Sequence, residues 1–260
     1  MTEASLHYRS GSPVGEIVLN QPDRRNAVSA AMWASLAGAV AEAEADKGAT
    51  VIIVRGEGGH FAAGADISEF AEVYATAETA RRYTETMLDG LKRLETCGKP
   101  TIARIAGSCV GGGCSIALAC DFRFAGASAR FGVTPGKLGL VYSLADTRRL
   151  AAAAGVSGAR DLLLTARLID ADEARRMGLC DRLYSDDALE AETAGFAAQI
   201  AALSQWSIRA TRKTLRMLKD GVPDDAAEAI ALMLEAFEGE DFREGYKAFL
   251  EKRKADFPTR

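Results

Sequence analysis

Gly56-Glu57-Gly58-Gly59-His60-Phe61-Ala62-Ala63-Gly64-Ala65-Asp66-Ile67 decides how this chain is read, together with Ala106-Gly107-Ser108-Cys109-Val110-Gly111-Gly112-Gly113-Cys114. Each stretch follows a β-branched apolar run, residues 51–54 and 101–105, and leads into a helical pattern. Turns with so few side chains let peptide N–H groups come close to a ligand. Two such turns can aim two donors at one oxygen, the arrangement of an oxyanion hole. For either turn alone, ordinary loop glycine in an α/β connection is the competing reading. Neither turn carries the Lys-Ser or Lys-Thr of a P-loop, and neither is a clean dinucleotide fingerprint after the first strand.

Outward from these turns, Val51-Ile52-Ile53-Val54 is apolar throughout, as a strand covered on both faces of a parallel sheet would be. Ile17-Val18-Leu19 reads as an earlier short strand. Ser29 is placed to cap a helix running to about Asp46, with Trp33, Leu36, Ala37 and Val40 at helical spacing. Asp66 or Ser68 caps a short helix, and Gly98-Lys99-Pro100 stops a long one over about 80–95. Strands are predicted over 101–105, 121–125 and 129–132, with a small-residue helix over 113–119. Asp146 is read as a helix cap, Asp172 as the start of a short helix, and 181–184 as a last strand. Pro223 fits the first turn of a helix whose apolar face is Ile230, Met233, Leu234 and Phe237. Strands alternate with helices early and helices dominate late. This predicts an α/β core over residues 1–195 and a helical C-terminal region over 196–260.

At 260 residues the chain can bury a full core. A net charge of -4 argues against a nucleic-acid binder that works through a broad basic surface. Met1-Thr2-Glu3-Ala4 lacks a basic segment followed by an apolar one, and no apolar run spans a bilayer. Neither a leader nor a membrane contact is therefore expected. The five cysteines (Cys97, Cys109, Cys114, Cys120, Cys180) form no CxxC pair and read as buried, reduced thiols of a cytoplasmic protein. His7 and His60 lie in no metal-ligand pattern, so no metal is expected.

The turns together resemble the crotonase (enoyl-CoA hydratase/isomerase) superfamily. The resemblance rests on the segment from Phe61 to Ile67, on Gly107 with Gly111-Gly112-Gly113-Cys114, and on Ala119-Cys120-Asp121-Phe122-Arg123. It continues through Asn20-Gln21-Pro22, Arg25-Asn26-Ala27 and the C-terminal Phe249-Leu250-Glu251-Lys252-Arg253-Lys254. It implies a spiral of ββα units, a helical C-terminal part that builds homotrimers or homohexamers, and a coenzyme A thioester substrate with no other cofactor. The amides of Ala65 and Gly112 match the family's oxyanion-hole positions. Arg25, Ala27, Ala63, Asp66 and Ile67 match its coenzyme A path, although Asp66 also suits a helix N-cap. Lys247, Lys252, Arg253 and Lys254 read either as contacts to coenzyme A phosphates or as a solvated charge run.

Hydratases of this superfamily carry two glutamates that handle water; the matching positions here are Ser115 and, at or next to the second, Pro135. Hydration needs a base for the water and an acid for the α-carbon, and neither residue supplies one. By the same resemblance, Tyr142 and Ser143 would fall in the segment that faces the acyl group in this superfamily. With Thr134-Pro135, Leu138-Gly139 and the C-terminal segment from Asp241, Tyr142 also resembles the methylmalonyl-CoA decarboxylase branch. There a tyrosine orients the carboxylate to be lost, but that branch has a histidine where this chain has Ala65. Tyr142, Ser143, Glu69 and Glu72 are the candidates for proton transfer; Ser115 counts as a catalytic position without useful basicity. His60, with no visible orienting partner, is expected to face solvent or coenzyme A. The expected function is an acyl-CoA enzyme of fatty acid metabolism acting through a thioester enolate. The alternatives are an acyl-CoA decarboxylase, an enoyl-CoA isomerase, or a catalytically weak acyl-CoA-binding protein.

Overall fold

The computed structural model describes residues 5–257. Residues 1–4, read above for a leader, lie outside the described residues. The first half runs β1 (Leu6–Arg9), β2 (Val14–Leu19), α1 (Ala30–Ala45), β3 (Val51–Gly56), α2 (Phe70–Val73), α3 (Ala77–Thr96), β4 (Thr101–Ile105), β5 (Ser108–Val110), α4 (Gly112–Ala119), β6 (Phe122–Gly126) and β7 (Arg130–Gly132). The second half runs α5 (Leu144–Thr165), β8 (Leu168–Asp170), α6 (Ala171–Met177), β9 (Arg182–Tyr184), α7 (Leu189–Ala201), α8 (Gln205–Lys219), α9 (Ala227–Glu238) and α10 (Glu240–Leu250). No helix among the described residues is long and apolar enough to cross a membrane.

A six-stranded sheet has the order β1-β2-β3-β4-β6-β9, and β5-β7-β8 form a second sheet. Only the β1–β2 pairing is antiparallel in the large sheet; β3 and β4 pair in parallel, with Val54 opposite Ala103. The continuous apolar run of β3 follows from cover on both faces. Ile52 and Val54 join a core with α1, α3 and α4, while Val51 and Ile53 join one beneath α7. Each such fully buried side chain contributes about 1.5–3 kcal/mol of transfer free energy. Because β3 and β4 are parallel neighbours, the chain leaves both at the same edge. That edge, at the carboxyl ends of parallel strands, is where α/β sheets place ligands.

Ser29 caps α1 as its spacing predicts, its hydroxyl accepting the Met32 N–H at 3.2 Å. Three local readings are corrected. α5 is capped by Ser143, not Asp146; the shorter hydroxyl reaches the Asp146 N–H at 3.0 Å, and the aspartate turns inward. α6 starts one residue before Asp172, because Asp170 accepts the Glu173 N–H. Pro223 precedes α9 altogether, its carbonyl closing a turn with the Ala226 N–H. Three short strands, β1, β5 and β8, were not foreseen.

Candidate active site

The two glycine- and alanine-rich turns are sewn together before they meet any ligand. Phe61 N–H donates to Ala106 O at 2.8 Å, Ala62 N–H to Ser108 O at 2.8 Å, and Val110 N–H to Ala62 O at 3.0 Å. His60 adds a side-chain stitch, Nδ1 accepting the Ser108 N–H at 3.1 Å. The imidazole thus sits in the seam between the turns, where it had been expected to face solvent or coenzyme A.

Val28 N–H donates to Gly64 O at 2.7 Å, and Asp66 N–H donates to Val28 O at 3.0 Å. Successive N–H groups of extended chain point to opposite sides, so the Ala65 N–H faces away from Val28. Gly112 lies against Ala65: a Cβ built on Gly112 would stand 3.7 Å from the Ala65 nitrogen. Gly112 also opens α4, whose first N–H groups have no acceptor within the helix and carry partial positive charge. Gly111 makes the entry possible with φ 50° and ψ -114°, a pairing glycine takes without Cβ strain.

Ala65, Gly111 and Gly112 border a cavity of about 160 Å3. Ser115 and Tyr142 face it as a pair, hydroxyl to hydroxyl at 2.7 Å. Burial, reinforced by the negative Asp146, pushes the Tyr142 phenol well above its ordinary pKa, so it stays protonated at neutral pH. Thr134 and Pro135 complete that side, and Pro135 offers the cavity only carbon.

Asp146 is the one charged side chain bordering the cavity among the described residues. It is 1% exposed and fully engaged. The Ser143 hydroxyl donates to it at 2.6 Å, and the Arg149 guanidinium pairs with it at 3.0 Å. Arg149 in turn holds Glu95 at 2.7 Å, and Glu95 pairs with Lys219 of α8. Burial alone would raise the Glu95 pKa; Arg149 and Lys219 together outweigh it and hold the carboxyl below its usual range.

The remaining side chains singled out in the sequence scatter. Glu69 accepts the Ala30 N–H at 2.6 Å, at the start of α1, and Glu72 is exposed away from the cavity. Ala63 and Ile67 border the cavity, and Ile67 is exposed at its mouth. Arg25 is exposed and Ala27 half-buried, neither in the cavity wall. Asp66 behaves as the cap foreseen, accepting the Ser68 N–H at 3.1 Å, and it also pairs with Arg24 at 2.5 Å. The Ser68 hydroxyl and Arg24 lower its pKa against the opposing effect of burial. Arg253 is held by Glu244 at 2.6 Å. Among the described residues no His, Cys, Asp and Glu cluster could hold a metal ion.

The turns and the segment from Thr134 to Ser143 supply most of the cavity wall, as the sequence implies, but its aromatic part is not legible there. Trp33, Phe70, Tyr74, Tyr83 and Met87 come to it from α1, α2, α3 and the α2–α3 turn. Helical spacing marks Trp33 only as an apolar helix position, and nothing in the sequence singles out Tyr83. Burial pushes the Tyr83 phenol up to about 12, with the nearby Trp33 indole acting in the opposite direction.

The enoyl-CoA hydratase/isomerase family profile matches residues 9–260. The chain belongs to this family. A family member of known structure from Hyphomonas neptunium superposes with a TM-score of 0.97 at 48% identity, over 99% of this chain and 98% of that one. An enoyl-CoA hydratase/carnithine racemase from Magnetospirillum magneticum superposes with a TM-score of 0.95 at 35% identity, over 100% and 97%. The "Probable enoyl-CoA hydratase" of Rhizobium meliloti is 34% identical over the full length of both chains. These similarities establish the crotonase α/β fold and an acyl-CoA enzyme of the hydratase/isomerase family.

Proposed function

We propose that this family member binds a coenzyme A thioester with its carbonyl oxygen between the Ala65 and Gly112 amides. There it stabilises a thioester enolate, and the Tyr142 hydroxyl gives the α-carbon its proton. Paired donors of this kind are each worth about 2.7–4 kcal/mol in the transition state. The carrying observation is the Ser115–Tyr142 pair, 2.7 Å apart, facing the same cavity as the two turns. Ser115 orients the phenol and relays a replacement proton.

Among the described residues that border the cavity, Tyr142 suits the role of proton donor and no side chain suits that of free base. Tyr142 stays protonated, and Asp146 is neutralised by Arg149. Water addition lacks its activating carboxylate, and double-bond migration lacks a base to take a C–H proton. An enolate formed by breaking a C–C bond needs neither. In loss of CO2 from a 2-carboxyacyl thioester, the bonding pair becomes the enolate and CO2 departs. The Tyr142 proton then moves to the α-carbon, and solvent reprotonates the phenolate through Ser115. Decarboxylation is therefore the favoured reaction.

Arg25, Ala27, Ala63, Asp66 and Ile67 are proposed to border the coenzyme A moiety, with the exposed Arg25 and Arg24 toward its phosphates. The uncovered apolar face of α9 and α10 (Ile230, Met233, Leu234, Phe237 and Phe249 are all exposed) supports assembly into trimers or hexamers. The test is turnover of crotonyl-CoA, a 3-enoyl-CoA and methylmalonyl-CoA side by side. Consumption of the 2-carboxyacyl thioester alone is expected. Hydration of crotonyl-CoA as the preferred reaction would overturn the reading.

A further inference from the structure

Aromatic rings gather on one side of the acyl cavity. Phe70 meets Tyr74 edge to face, with centroids 5.1 Å apart at 84°. Tyr74 meets Tyr83 in the same way at 5.7 Å and 70°. The Trp33 indole lies beneath the Gly112 turn, its Cζ2 3.0 Å from where a Gly112 Cβ would stand. Met87, an adaptable thioether, fills in beside them.

Such a wall presents ring faces and edges in several orientations to whatever enters. Aromatic guests gain from this beyond simple area burial, because edge-to-face contacts match the ring quadrupoles. A flat, rigid guest also loses little rotamer entropy when it is fixed. The size agrees. The cavity measures about 160 Å3, and an apolar cavity of about 150 Å3 accommodates one benzene ring. No Lys, Arg or His among the described residues borders the cavity, so beyond the reacting carboxylate, which the Tyr142 and Ser115 hydroxyls would meet, no cation in its wall selects a charged tail.

Leu138, Leu140 and Val141 form an exposed apolar lip at the mouth, which could carry a long alkyl chain outward. Volume alone does not separate a ring from a short chain; the three accessible aromatic walls do. We propose that the acyl group of the physiological thioester carries a single six-membered ring, aromatic in character, seated against Phe70, Tyr74 and Tyr83, with the buried Trp33 backing them. This rests on the acyl-CoA reading of the site above and narrows its substrate class.

Titration calorimetry with phenylacetyl-CoA, octanoyl-CoA, dodecanoyl-CoA and free coenzyme A tests it on the intact protein. Phenylacetyl and octanoyl groups have the same number of carbons, so the comparison isolates shape. Phenylacetyl-CoA is expected to bind at least about fivefold more tightly than octanoyl-CoA. Tyr74→Leu, at an exposed position, should bring that ratio toward one; Phe70→Leu is the second variant. Equal or tighter binding of octanoyl-CoA, or tighter binding still of dodecanoyl-CoA, overturns the proposal and assigns the lip to an alkyl chain. A phenylacetyl preference untouched by both variants also overturns it. Failure of every thioester to bind better than free coenzyme A would instead overturn the acyl-CoA reading itself.

Discussion

The Trp33 indole sits directly under Gly112, so close that a methyl group on the glycine would stand 3.0 Å from the ring. The aromatic wall and the backbone donor are thus in contact. Gly112→Ala must either push the indole or tilt the start of α4. We expect turnover of the active thioester to fall on the order of 100-fold or more, as when an oxyanion donor is misplaced. The far-ultraviolet circular dichroism should remain that of the parent protein. Turnover within a factor of three of wild type would show that the amide is not used.

Tyr142→Phe should lower kcat by roughly 100-fold to 10,000-fold, the usual range for a lost proton donor, with a smaller change in KM. The active form of Tyr142 is the protonated one, and burial with Asp146 raises its pKa. Activity should therefore persist as pH rises through neutrality, and be lost only above the ordinary tyrosine value of about 10. A pH–rate profile that falls on the alkaline side near 7 would assign the proton to another group.

Ser115→Glu should not create a crotonyl-CoA hydratase. The second position still presents Pro135, and the new carboxylate would sit against the Tyr142 hydroxyl. Steady-state assays should show no hydration above the parent. Recovery of strong hydration would mean that the second acid stands elsewhere in the cavity.

Arg149→Met leaves Asp146 buried and Glu95 with Lys219 alone. Removing one partner of a buried ion pair costs about 3–5 kcal/mol, readable as a fall in the urea midpoint. The pH dependence has a definite sign. Glu95 has its folded pKa depressed, so its contribution is present above the unfolded carboxyl pKa and lost as pH falls through the folded one. Wild type should lose stability on acidification through that window more steeply than Arg149→Met does.

His60→Ala removes the acceptor of the Ser108 N–H, at the seam of the two turns. An unsatisfied, partly buried amide costs about 1–3 kcal/mol. The loss should appear in thermal unfolding. Hydrogen exchange at Ser108 should quicken, while His60→Gln, which keeps an acceptor, recovers part of the stability.

Much of the fold was legible because its signals are local. The uninterrupted apolar run of β3, the Ser29 cap and the stop at Gly98-Lys99-Pro100 each act within a few residues. The turns bearing Ala65 and Gly112 stood out by their lack of side chains. The illegible part is what tertiary packing decides. Asp146 has the composition of a cap, yet Ser143 takes that place because Arg149 and Glu95 offer the aspartate a buried partner chain. Glu69 reads as an acid near the site, but the open N-terminus of α1 claims it across 39 positions. Trp33, Tyr74 and Tyr83 come together only when α1 and α3 dock, and no spacing along the chain announces that meeting.

The stitch between residues 62 and 109 makes the two turns travel as one piece, and the one between residues 28 and 65 ties the first turn to the chain before α1. A guest molecule meets a gap of preset width, not a pair of independent arms that must be drawn together on arrival. The lining can then be rewritten, ring by ring, while the width of that gap stays put. A scaffold of this kind can change its clientele without relearning how to grip them.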